Sequence, residues 1–338
     1  MTAPPLSSFA GQVVQFAAPL LRIRYPDALY VSLHGFPDWT PYARAMVEIA
    51  PPAPEAPAEA VRVMDVLAAN QVMAESGDPL WGAAQDEDAP PTPDGWVWAH
   101  LAMSRRLALV PAEAHAAFRH AGGIATLEVD HSGAGVSVGE DGAAVAIAGG
   151  GEATESDLAA LESKLGAGLP AAYRQFLEQT NGGRPAAPAV HHRFGFVADQ
   201  SFFGIGRKDW FGNVANARQW LRDQFSDEFL PVGHVQGGVL AVRVADPDAG
   251  SVWYYDDDDP RDRESYDAQE VGGRLLRRCA VDFAAFLAAL RPVPDALRDA
   301  ARDVVRGGLA QQVTVPQLGL ALPADRRPAT GQPPAGRR

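Results

Sequence analysis

Residues 136–151, VSVGEDGAAVAIAGGG, lose any helical period and fill with glycine, so the chain divides near residue 150 into two modules, each needing its own buried core. Pro-rich stretches add punctuation: PPAPEAPAEA at 51–60, DEDAPPTPDG at 86–95, and a tail from Pro316 ending PADRRPATGQPPAGRR that reads as disordered. With 338 residues, 47% hydrophobic and 21% charged, both modules can be globular domains. The expected units are a domain at 1–135, a Gly-rich linker at 136–151, a domain at 152–292, a C-terminal helix at 293–315 and the tail at 316–338. No internal period marks a solenoid.

In the second module, TESDLAALESKLG carries a capping-box variant, Thr154 with Asp157, and a helical stripe of Leu158, Leu161 and Leu165. A second helix starts at Pro170, places Tyr173, Phe176 and Leu177 on one face, and stops at Asn181, Gly182 and Gly183. FFGIG, FLPVGHVQGGVLAVRVAD and GSVWYYDDDD then alternate apolar and polar residues around turns, as antiparallel strands do. A closing helix carries Phe283, Phe286, Leu287 and Leu290 on one stripe. The class is α+β, a sheet covered by helices.

The string LESKLGAGLPAAYRQFLEQTNGG, followed in order by those strands and VDFAAFLAAL, resembles the SUKH superfamily over about residues 152–292. The resemblance implies a non-catalytic binding domain, most often a bacterial immunity protein that neutralises a toxin, frequently a nuclease. Read from the residues alone, Asp256, Asp257, Asp258 and Asp259 are a solvated acidic rim, because four consecutive carboxylates point in alternating directions and lack spaced ligands. With Trp253, Tyr254 and Tyr255 they form an expected contact patch for a basic toxin. His191 and His192 are expected in a surface loop.

Residues 96–123 of the first module, WVWAHLAMSRRLALVPAEAHAAFRHAGG, read as strand, turn at Ser104 to Arg106, strand, and a helix from Pro111 to Gly122. Such a ββα unit can bring imidazoles to one divalent metal. His115 and His120 are five apart, about 140° round an ideal helix, and converge only if the last turn loosens at the glycines. The TPDGWVWAH, LVP, helix-His and HAGG motifs, with upstream GFPDW and DVLAAN, resemble the toxin-associated branch of the HNH/endonuclease VII superfamily over about residues 33–125. The resemblance implies His100 as general base, Asn70 as the asparagine bracing the site, and His115 and His120 as metal or phosphate ligands. Ala99 departs from it, standing where the family has a metal-ligating histidine, and a methyl group donates nothing to a cation. Asp130 is a substitute ligand to consider, and Arg105 with Arg106 a local phosphate patch.

Residues 1–150 hold 7 Arg, no Lys and 17 acidic residues, net −10, of the chain's −13. An acidic surface repels phosphate backbones, so nucleic acid is not the expected partner outside an enzyme reading. A lone cysteine, Cys279, gives neither disulfide nor zinc site, and the N-terminus reads as neither signal peptide nor span, so the expected location is the cytoplasm with no membrane contact. The leading expectation is a non-enzymatic toxin-immunity component that requires no cofactor. The enzyme alternative is an HNH endonuclease using Mg²⁺, Mn²⁺ or Zn²⁺, and a regulatory protein-binding scaffold is the third reading.

Overall fold

The computed structural model describes residues 3–82, 89–132 and 142–316. In the first module, strand β1 (Ala45–Ile49) precedes helix α1 (Ala58–Glu75), which leaves Pro57 and is buried on nearly every side. Its buried apolar residues pack it under the sheet, and its buried polar residues, Arg62, Asp65 and Asn70, each find hydrogen-bond partners. Strands β2 (Trp96–His100) and β3 (Arg106–Pro111) form an antiparallel pair with Trp98 opposite Leu109, and β3 runs into a short helix, α2 (Ala112–Ala116).

The second module begins with helices α3 (Glu155–Leu165) and α4 (Ala171–Thr180). The Thr154–Asp157 capping box is formed, and Asn181 ends α4 in the left-handed region. Two short strands, β4 (Ala189–His191) and β5 (Val197–Ala198), pair antiparallel. Strands β6 (Phe229–Val235), β7 (Gly238–Arg243), β8 (Val252–Asp256) and β9 (Arg277–Ala280) form an antiparallel sheet in chain order. Helix α5 (Phe283–Ala289) packs Phe283 and Phe286 on Tyr173, Phe176 and Phe202, and strand β10 (Leu290–Pro292) pairs with β4.

The chain then returns to the first module. Helix α6 (Asp295–Arg306) packs along α1, and strand β11 (Ala310–Val313) pairs with β1, giving a first sheet ordered β11-β1-β3-β2. Val293, Ala301 and Ala310 lie in one core with Val63, Val66 and Leu67. The expected boundaries therefore change: 293–315 is a helix and a strand of the first module, which the second interrupts. The expected linker is also partly structured, since Ile147–Ala148 pairs with Arg184–Pro185 and Gly150 N–H donates to Thr180 O at 2.8 Å. Residues 136–141 of it and most of the expected disordered tail, 317–338, lie outside the described residues.

Strand β2 is the outer strand of its sheet, and an open edge needs cover. The second module supplies it with side chains: Gln236 Oε1 accepts from Trp98 N–H (3.0 Å), Gln200 Oε1 from Gly95 N–H (3.0 Å), and Asp199 Oδ2 from Thr92 N–H (2.9 Å). The modules meet at the end of β2. Among the described residues, no helix is long and apolar enough to cross a membrane.

Candidate functional site

The ββα unit is present with a shorter helix than expected. Helix α2 ends at Ala116, and His120 sits on the turn beyond it, where its Nδ1 lies 2.8 Å from Phe118 O. Leaving the helix early brings the His115 and His120 rings to 4.6 Å, nearly perpendicular, both against Trp39. Gly123 makes the turn possible, because a Cβ there would stand 2.6 Å from His100 O. Burial pushes both imidazoles down, His115 further because His120, His234 and His100 crowd it. Neutral imidazoles have the lone pairs a metal ligand needs.

The donor set stops there. Ala99 is 2% exposed and packs in the core that holds Ala112, Ala116 and Phe118, so strand alternation puts it on the α2 face with a methyl group in place of a donor. Asp130 accepts from Ser132 N–H (2.8 Å) and hydroxyl (3.0 Å), and its carbonyl from Ala58 N–H. Among the described residues no three His, Cys, Asp or Glu side chains gather as metal ligands. Two imidazoles fall short of the three protein ligands usual at a catalytic zinc, and imidazole pairs without a carboxylate are a poor match for Mg²⁺.

His100 points to the other face. Its Nε2 is 3.2 Å from Asp65 Oδ2 on α1, and Asp65 Oδ1 accepts from Arg105 at 2.8 Å. A carboxylate fixing an imidazole is the pairing of general-base sites. Asp65 is the first residue of DVLAAN, and its sequence position alone does not place it against His100. Asn70 is fully buried, accepts from Trp98 Nε1–H (2.8 Å) and donates to Thr92 Oγ1 (3.0 Å). It braces β2, the strand that carries His100, from behind. Arg105 and Arg106 are engaged by Asp65 and Glu48, so neither is a free phosphate patch.

The acidic run is where the structure departs most from expectation. Asp256, Asp257, Asp258 and Asp259 are 6%, 6%, 8% and 2% exposed, so they form no solvated rim. Tyr254 and Tyr255 are buried, their hydroxyls donating to Gly237 O (2.7 Å) and Asp262 (2.8 Å), and half-buried Trp253 donates to Ser251. The expected toxin-contact patch is thus internal. Its charges are held by Arg62 of α1, 2.9 Å from Asp256 and 3.0 Å from Asp258, and by Arg277 and Arg261 on Asp259. Sequence neighbours of the run contain Arg261, but nothing near it announces Arg62, which lies 194 residues earlier. His191 is likewise buried rather than on a surface loop, its imidazole pushed down to about 4 by burial and by His192.

The turn closes a cavity of about 20 Å³, space for one water, lined by His100, His115, His234, Gly122, Asp257 and Asp258. Asp257 Oδ2 stands 3.6 Å from His115 Nδ1. Burial, with Asp258 and Asp256 beside it, drives the Asp257 carboxyl well up, while burial and the neighbouring imidazoles drive His115 down, so both shifts favour the uncharged forms. The raised folded pKa means that this group's stability contribution is present below the ordinary carboxylate pKa and is lost as pH rises through the folded value. Asp257→Asn should therefore raise Tm at about pH 7 by a few degrees, with the gain vanishing near about pH 4. A lower Tm at neutral pH would instead mean an Asp257–His115 ion pair.

Residues 152–289 match the SMI1 / KNR4 family (SUKH-1), and residues 88–130 match a family described as a nuclease of the HNH/ENDO VII superfamily with conserved WHH. The chain thus carries a SUKH domain and a nuclease-like ββα segment, and the matched residues include Trp98-Ala99-His100. No curated protein matches the chain.

Proposed function

We propose that this chain is a toxin-immunity component in which the SUKH module neutralises a nuclease fold by covering its site, here the one fused to it, and that it acts by binding rather than by catalysis. The observation that supports this reading is the burial of the Asp256–Asp259 turn against Arg62 and the His115 cavity. Carboxylates placed among a nuclease's cationic and imidazole groups exclude the anionic substrate by charge and by volume. A basic nuclease toxin in trans is the matching partner chemistry, and it would compete for the same turn. The two-imidazole donor set, with Ala99 between Trp98 and His100, supports loss of cleavage.

A second reading, a nuclease restrained by its own SUKH module, is favoured by the intact His100–Asp65 pair. Plasmid nicking in Mg²⁺, Mn²⁺ and Zn²⁺ separates the two, using wild type, D256A/D258A, and each with His100→Ala. The expected result is no cleavage by any of them. Nicking by wild type that His100→Ala abolishes would sink the binding reading. Nicking confined to D256A/D258A, and dependent on His100, would establish the restrained nuclease.

A further inference from the structure

The first module's side of the contact is a set of converging donors. Arg62 Nη2 reaches Asp256 Oδ1 at 2.9 Å and Asp258 Oδ2 at 3.0 Å, while Gly122 N–H donates to the Asp257 carbonyl at 2.8 Å and Ala125 N–H to Asp258 Oδ1 at 3.3 Å. Arg62 is 3% exposed. A Cβ on Gly122 would collide with the Asp258 carboxylate, so the close approach of an anion to this backbone depends on glycine.

The carboxylates use this cradle incompletely. Both sit on one guanidinium nitrogen, and buried Arg62 Nε has no hydrogen-bond partner among the described residues. A guanidinium fork is best matched by two oxygens of a single oxyanion bound bidentately along one edge. A tetrahedral phosphate could fill the Nε–Nη2 edge with two oxygens and present others to the backbone N–H groups, which is how backbone donors commonly hold phosphates. The two carboxylates of this turn, both on Nη2, do not reproduce that geometry. Burial, with Asp258 beside both, also raises the Asp256 and Asp257 carboxyls, so the turn's charge is poorly accommodated there. Arg62 lies outside residues 88–130, and its role is not carried over from the matched nuclease segment.

We infer that Arg62, with the backbone N–H groups of Gly122 and Ala125, forms a phosphate-oxyanion site of the first module, and that Asp256 and Asp258 of the SUKH module occupy it as carboxylate substitutes. The inference rests on the reading that the SUKH module covers the nuclease-like site. Its test reads binding rather than cleavage, so the two can fail separately.

In the 338-residue chain, Asp256→Ala with Asp258→Ala removes about a phosphate's volume of carboxylate and leaves Arg62 in place. Inorganic phosphate, titrated against chloride of equal ionic strength, should then raise the Tm of D256A/D258A saturably by about 3 °C or more. Wild type and R62M/D256A/D258A should respond no more than they do to chloride. A parallel arm measures anisotropy of a labelled single-stranded oligodeoxynucleotide. Binding in both arms assigns the site to phosphodiesters, and binding of inorganic phosphate alone assigns it to the free anion. Absence of both responses in D256A/D258A overturns the inference, as does a response that survives Arg62→Met. If D256A/D258A does not fold, Asp258→Ala alone, which keeps Asp256 on Arg62, is titrated the same way against its R62M/D258A counterpart.

Discussion

Replacing Arg62 with methionine should destabilise the folded chain by roughly 3–5 kcal/mol, the usual consequence of removing one partner of a buried ionic cluster. The methionine keeps most of the volume but none of the charge. Asp256 and Asp258 would then face each other and Asp257 with Arg277 as the remaining nearby cation, 3.5 Å from Asp256. The source of the loss is the unpaired carboxylates rather than the missing attraction. In the D256A/D258A background, where those carboxylates are gone, Arg62→Met should therefore be far milder. Urea denaturation of the four chains gives the double-mutant cycle. Equal losses in the two backgrounds would mean that Arg62 acts through its packing on α1 and not through the acidic turn.

Ending the chain after Pro292 should unfold the first module, although every residue of the matched nuclease segment would remain. The cut removes α6 and β11, so β1 becomes a bare edge and α1 loses the helix packed along it. Val293, Ala301 and Ala310 leave the core, with Leu297, Val304 and Val305 from its margin. At about 1.5–3 kcal/mol for each fully buried aliphatic chain, the loss is roughly 5 kcal/mol or more, comparable with the net stability of a whole domain. Near-UV circular dichroism and protease sensitivity of the truncated chain, beside one ending at residue 316, measure it. A truncated chain that melts at the Tm of the longer one would show that the return strand is dispensable. The same packing makes residues 1–150 an incomplete folding unit, since they lack β11 and α6.

Much of the second module was legible because its determinants are local. The Thr154–Asp157 capping box, the Tyr173-Phe176-Leu177 face and the Asn181 stop each lie within a few residues, and each has the expected form. The ββα unit was legible for the same reason, its β2 and β3 strands being one hairpin. The convergence of His115 and His120 needed the loosened turn that the glycine pair supplies. The return strand gave no signal: β11 reads Ala-Gln-Gln-Val, with two exposed glutamines on an outer strand, and its partner β1 lies more than 260 residues earlier.

The acidic run marks the limit of local reading. Four successive aspartates carry no information about which distant cation awaits them, and by themselves they favour water. Burying them is tolerable only where Arg62, Arg277, Arg261 and backbone N–H groups compensate, and Arg62 arrives there through the docking of the modules. Sequence by itself determined the α+β class and the two matched domains, since composition, periodicity and motif are properties of short spans. The tertiary structure decided that the first module closes through strand β11 and that an acidic turn of one module is buried against Arg62 of the other, with Asp257 and Asp258 lining the cavity beside His115. Charge burial and strand pairing depend on partners far along the chain, and their sign and strength exist only once those partners meet.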